Sequence, residues 1–175
     1  MATGAALSAP LLSILLSGCK TEAVNQATSL EAFSTKDFEV LELLVDLIIP
    51  ESDSPSASQV GVHNIIDHMI ATVYSVEDKK SFFGNFQKLG IHLSTMDFYN
   101  QNSKDQTEIL EQVLQYEDEG LGDVKKGLLD IRQQCIAYYL STEEISKSFL
   151  NYLPVPQQWE NCISVEEAGG KAWAI

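Results

Sequence analysis

Apolar residues recur every three or four positions through most of this chain, which is the period of an amphipathic helix. Phe38, Leu41, Leu44, Val45 and Ile48 mark a first helix; Ser34 or Thr35 can cap it, Asp37 and Glu39 suit its first turn, and Pro50 stops it. Ser, Pro and Asp between Glu51 and Gln59 predict a loop. Val62, Ile65, Ile66, Met69, Ile70 and Val73 predict a second helix. A third, over Glu77 to His92, uses Phe82, Phe83, Phe86, Leu89 and Leu93 as its apolar side, with Gly84 weakening it. Ser103 followed by Gln106 has the form of a capping box and opens a fourth helix through Ile109, Leu110, Val113 and Leu114. A fifth, from about Asp123 to Leu140, carries Val124, Leu128, Ile131, Cys135, Tyr138 and Tyr139, and a short sixth follows the cap Ser141.

No period-2 pattern competes with these segments, so the expected fold is all-α, a bundle of about five to six helices. From about residue 151 the periodicity stops. Pro154, Pro156, Trp159 and Trp173 predict an extended aromatic tail laid over the bundle.

The opening of the chain follows a different pattern. Ala2 to Gly18 has no charged side chain, and Leu11-Leu12-Ser13-Ile14-Leu15-Leu16 runs into Ser17-Gly18-Cys19. An apolar run of this size reads as the core of an export signal and is marginal for a bilayer span, which needs about 20 apolar residues. Leu16-Ser17-Gly18-Cys19 resembles the lipobox of bacterial lipoproteins, and that resemblance implies acylation of Cys19 and a mature protein anchored on the exported side of a membrane. Export signals carry basic residues ahead of the apolar core, and none precedes Lys20, so a basic segment such as a twin-arginine pair is expected upstream. The polar stretch after Cys19 reads as a tether. The expected organisation is a signal over residues 1–18, a tether over 19–32 and a helical domain over 33–175.

Composition narrows the partners. The 175-residue chain has 25 acidic and 11 basic side chains, a formal charge of −14, which repels nucleic-acid phosphates. No glycine-rich phosphate turn, no Cys-x-x-Cys-His haem motif and no His-Glu-x-x-His zinc motif occurs, so no catalytic, cofactor-binding or metal residue is assigned. His63 and His68 would stand about 140° apart around a helix, too far for a shared metal. His63 and Asp67 can meet on one helical face, as an ordinary pair or as a base with its orienting carboxylate. The acidic run Asp118 to Asp123 lacks the ligand alternation of an EF-hand and reads as a turn between helices.

With Cys19 acylated, two thiols remain in an oxidising compartment. An even remainder favours a bridge between Cys135 and Cys162; the alternative is a free Cys135 buried on the apolar face of its helix.

Two segments carry a family resemblance. Phe33-Ser34-Thr35-Lys36-Asp37 through Leu44-Val45-Asp46-Leu47-Ile48-Ile49-Pro50, with Ser52 to Ala57 and Gly61 to Asp67, resembles the opening of the gluconate 2-dehydrogenase subunit 3 family. Tyr152-Leu153-Pro154-Val155-Pro156 through Trp159 to Cys162, with Lys171-Ala172-Trp173-Ala174, is similar to its C-terminal pattern. The resemblance implies a small, non-catalytic subunit of an exported, membrane-bound dehydrogenase, partnered by a large FAD-dependent subunit that oxidises sugars or sugar acids and by a cytochrome c. It transfers no active-site residue. Tyr152, Trp159 and Trp173 are the expected partner contacts, with packing against their own bundle as the alternative. A second reading, from another class, is a stand-alone helical lipoprotein that binds a small ligand.

Overall fold

The computed structural model describes residues 30–152, 162–167 and 169–174. Six α-helices lie among them: α1 (Thr35–Ile48), α2 (Val62–Thr72), α3 (Val76–Thr95), α4 (Ser103–Leu114), α5 (Gly122–Ser141) and α6 (Glu143–Ser148). Single 3-10 turns, Phe98–Asn100 and Glu119–Leu121, lead into α4 and α5. The all-α expectation agrees with this architecture; among the described residues the β-type pairing is one isolated bridge, between Asn151 and Trp173.

Helix α5 is the axis of the bundle. Its inward residues Val124, Leu128, Ile131 and Cys135 are buried, and the helix packs against α1, α2, α3, α4 and α6. Around it lie Leu41, Leu44 and Val45 of α1, Ile66 and Ile70 of α2, Phe86, Leu89 and Leu93 of α3, and Leu110 and Val113 of α4. The closest approach is at Gly127, where an added Cβ would lie 2.7 Å from the Asn85 carbonyl oxygen, so the missing side chain is what allows α5 to pack onto α3.

The helix starts follow capping chemistry. Ser34 Oγ accepts the Asp37 N–H at 3.3 Å, and Ser75 Oγ accepts that of Asp78 at 3.1 Å. Gly61 precedes α2 at φ 77°, a conformation that costs glycine little. Two predicted caps shift by one residue. Asn102, rather than Ser103, caps α4, accepting the N–H groups of Lys104 and Asp105. Gln106 is buried instead, donating to the Phe98 carbonyl at 3.0 Å, because it faces the turn that leads into the helix. Ser141 closes α5, with its hydroxyl on the Tyr138 carbonyl, and Thr142 is the junction to α6.

The start of the domain is fixed by Asp67. Its carboxylate accepts the backbone N–H groups of Glu31 and Ala32 at 2.8 Å each and of Phe33 at 3.0 Å. Phe33 then places its ring edge-on to Phe82, Phe83 and Phe86 of α3, at centroid distances of 6.0, 5.0 and 5.4 Å. The last residues assigned to the tether are therefore docked onto the domain. The loop between α1 and α2 is held from both sides: Asp46 accepts the backbone N–H of Ser58 at 2.8 Å and its hydroxyl at 2.6 Å, while Tyr139 donates to the Pro55 carbonyl at 2.8 Å.

Candidate functional site

The residues singled out from the sequence do not converge. Cys19 and Trp159 lie outside the described residues. Tyr152 and Trp173 are both 51% exposed, so neither is buried against the bundle. The backbone beside them is pinned: the Asn151 N–H donates to the Ala172 carbonyl at 2.8 Å and the Ala174 N–H to that of Asn151 at 2.9 Å. The described part of the tail thus returns to the end of α6 and leaves its aromatic rings half in solvent.

Of the two cysteines expected to pair, the structure has both free, Cys135 buried and Cys162 exposed. Cys135 belongs to the inward face of α5, with its sulfur 3.8 Å from the Val45 carbonyl oxygen, whereas Cys162 is exposed. Burial, with a further contribution from the Asp46 charge, pushes the Cys135 thiol up to about 12, so it stays protonated and unreactive.

His63 and Asp67 share a helix without pairing. Asp67 is fully committed to the N–H groups at residues 31–33, which is a structural assignment. His63 packs its ring on Phe38 at 5.1 Å and meets Asn64 Nδ2 at 3.2 Å through Nε2; its buried Nδ1 has no partner among the described residues. Burial holds its pKa below the ordinary value, against the upward pull of Glu42 and Asp46. His68 faces outward onto Glu31 at 3.1 Å. In the acidic run Asp118 accepts the Gly120 N–H at 2.7 Å, and Asp123 pairs with Lys88, as in a capped turn. Among the described residues no group of three or more His, Cys, Asp or Glu is placed to hold a metal.

What the structure offers outward is surface relief that periodicity alone did not reveal. Two adjoining grooves, of about 310 and 420 Å³, meet at Tyr99, where Val40 and Leu43 of α1 approach Ile91 of α3. Ile91 is 67% exposed, a large apolar side chain left in water. Burial raises the pKa of the Tyr99 hydroxyl, against a hydrogen bond from Ser94, so that hydroxyl stays neutral.

On another side, a cleft of about 590 Å³ opens between the end of α2, the start of α3 and the outer face of α5. Tyr74 and Tyr138 line it, along with Asp78, Asp130 and Gln134. Burial raises the pKa of Asp130, with the Lys126 charge opposing. Burial also raises both tyrosines, and Tyr74 is raised further by the neighbouring Tyr138, Asp130 and Asp78. Val73 and Val76 lie exposed where α2 gives way to α3.

Residues 35–156 match the family described as gluconate 2-dehydrogenase subunit 3. The chain belongs to that family. The matched span starts at the first residue of α1 and takes in all six helices, so the bundle is the subunit 3 domain and both surfaces above are built on it. The Asp67 anchor joins this domain to residues 31–33, just outside the matched span. Subunit 3 membership implies association with other subunits of a dehydrogenase. No curated protein and no solved structure matches the chain.

Proposed function

We propose that this chain is the small, non-catalytic subunit of an exported, membrane-associated dehydrogenase, and that it works by binding a large FAD-dependent subunit. The observation that carries the reading is the family match across all six helices. In this reading the redox chemistry resides in the large subunit, a cytochrome c takes the electrons onward, and the substrate is a sugar or sugar acid. Acylated Cys19 anchors the complex to the membrane, and residues 1–18 direct export. The small subunit contributes anchoring, export or stability to its partner.

The surface accords with this division of labour. Tyr99, Ile91, Val73 and Val76 are large apolar groups left in water at two places on the bundle, where a partner surface would cover them. The alternative, a stand-alone lipoprotein with a small ligand, calls for an enclosed cavity, and the clefts described above are open grooves.

The deciding experiment is purification of the full-length tagged protein from membranes of its own source, followed by mass spectrometry and a flavin absorbance spectrum. Recovery of a large FAD-containing chain in stoichiometric amount is expected. A colourless protein recovered alone, under conditions that preserve other membrane complexes, would sink the accessory-subunit reading.

A further inference from the structure

The cleft between α2, α3 and α5 has an imbalance of charge. Asp130 is half-buried; the Lys126 charge, one helical turn away, acts on its carboxylate, which receives no hydrogen bond from any described residue. Gln134 Oε1 is buried without a partner among the described residues. Asp78 uses one carboxylate oxygen on the Ser75 hydroxyl at 2.7 Å and presents the rest of its charge to the cleft. Two carboxylates, Asp78 and Asp130, thus face one cation, Lys126, and leave the cleft with an excess of negative charge next to two aromatic rings.

That surplus selects among occupants. A sugar acid brings another negative charge and is repelled. A neutral sugar brings as many acceptors as donors and leaves the carboxylates uncompensated. A lysine ammonium supplies charge and three donors but no flat face. A guanidinium supplies a delocalised positive charge, five donors in a plane and faces that stack on tyrosine, and it sheds water more readily than an ammonium. Val73, at 64% exposure on the lining, and exposed Val76 three residues further on suit a protein surface around the cation better than a free solute. A chain of net charge −14 is also best met by a basic surface.

We propose that this cleft is the receptor for an arginine side chain of the large partner subunit, held between Tyr74 and Tyr138 with its guanidinium on Asp130 and Gln134. The proposal rests on the accessory-subunit reading and names the side chain that the partner inserts. Lys126, on the exposed rim, tempers the attraction and tunes the affinity.

Two measurements on the full-length chain test it. In the first, N-acetyl-arginine amide and its neutral isostere N-acetyl-citrulline amide are titrated while backbone amide chemical shifts are followed. The arginine compound should shift the amides of Tyr74, Asp130, Gln134 and Tyr138 at millimolar concentration, and the citrulline compound should bind at least about tenfold more weakly. In the second, wild type, Asp130→Asn and Lys126→Gln are each used to recover the flavoprotein from membranes, with melting temperatures checked in parallel. Asp130→Asn should retain roughly a tenth or less of the partner. Lys126→Gln, which removes an exposed charge and leaves the core untouched, should retain more than wild type. Equal shifts from the two compounds, or an Asp130→Asn variant that recovers the partner as wild type does, overturns the arginine receptor while leaving the accessory-subunit reading standing. A wild-type protein that recovers no flavoprotein overturns both.

Discussion

Asp67 accepts the backbone N–H of Phe33, 34 residues earlier in the chain, at 3.0 Å, and the same carboxylate holds Glu31 and Ala32. One buried carboxyl group on α2 is thus satisfied by three peptide N–H groups and, in return, fixes the ring of Phe33 in the aromatic cluster of α3. Replacing Asp67 by Ala leaves three N–H groups short of an acceptor. We expect a loss of roughly 3 kcal/mol in urea unfolding, with fast hydrogen exchange confined to the amides of residues 31–33 at low denaturant. A change below about 0.5 kcal/mol would show that the anchor contributes nothing to stability.

Two glycines in long helices should respond with opposite sign. At Gly84 an added Cβ meets nothing within 4 Å, so Gly84→Ala should stabilise by up to about 1 kcal/mol through helix propensity. At Gly127 the same propensity gain is set against a Cβ 2.7 Å from a backbone oxygen of α3. Overpacking of that kind costs about 1–3 kcal/mol, so Gly127→Ala should be destabilised on balance. Thermal melts of the two variants, read against wild type, check the pair of signs.

The thiols should separate cleanly by reactivity. With its thiol pushed up to about 12, Cys135 should resist iodoacetamide at pH 8 in the folded protein, while exposed Cys162 is alkylated. Peptide mapping of unreduced protein checks this. A cross-linked peptide containing both residues would instead establish the bridge expected from the sequence.

His63 should make the fold acid-sensitive. Burial lowers its folded-state pKa below the ordinary 6.5, so the unfolded chain binds the extra proton first as pH falls. The neutral ring costs nothing above pH 6.5; stability then declines through the window between 6.5 and the lowered value and stays at its reduced level below both. Melting temperatures of wild type and His63→Leu, compared from pH 7.5 to 5.0, should diverge in the acid arm with wild type falling further. Parallel curves would remove His63 as the cause.

Much of the bundle was legible because its helices are written in local pattern. Leu41, Leu44 and Val45, or Leu128, Ile131 and Cys135, declare a buried face through spacing alone, and Ser34 declares a start through its neighbour Asp37. The cap of α4 fell one residue earlier because Asn102 and Ser103 are both good caps, and the choice depends on where Gln106 can find an acceptor, which is the Phe98 carbonyl in the preceding turn. The anchoring role of Asp67 was out of reach, since its partners lie more than 30 residues away and are backbone groups without a sequence signature. The same holds for both clefts. Tyr74, Asp130 and Tyr138 come together only when the end of α2 is laid beside α5, and Ile91 and Tyr99 read as ordinary helix and turn residues until α1 is placed next to them.

The Asp67 anchor also has a mechanical meaning. A domain held at its N-terminal end takes any pull from that end through residues 31–33, and the load reaches the carboxylate of α2 before it reaches the first turn of α1. The three hydrogen bonds stand between such a load and α1, and the ring of Phe33, packed edge-on against Phe82, Phe83 and Phe86, ties the same segment to α3. A pull applied at residue 31 therefore meets the Asp67 carboxylate before it can fray the start of α1.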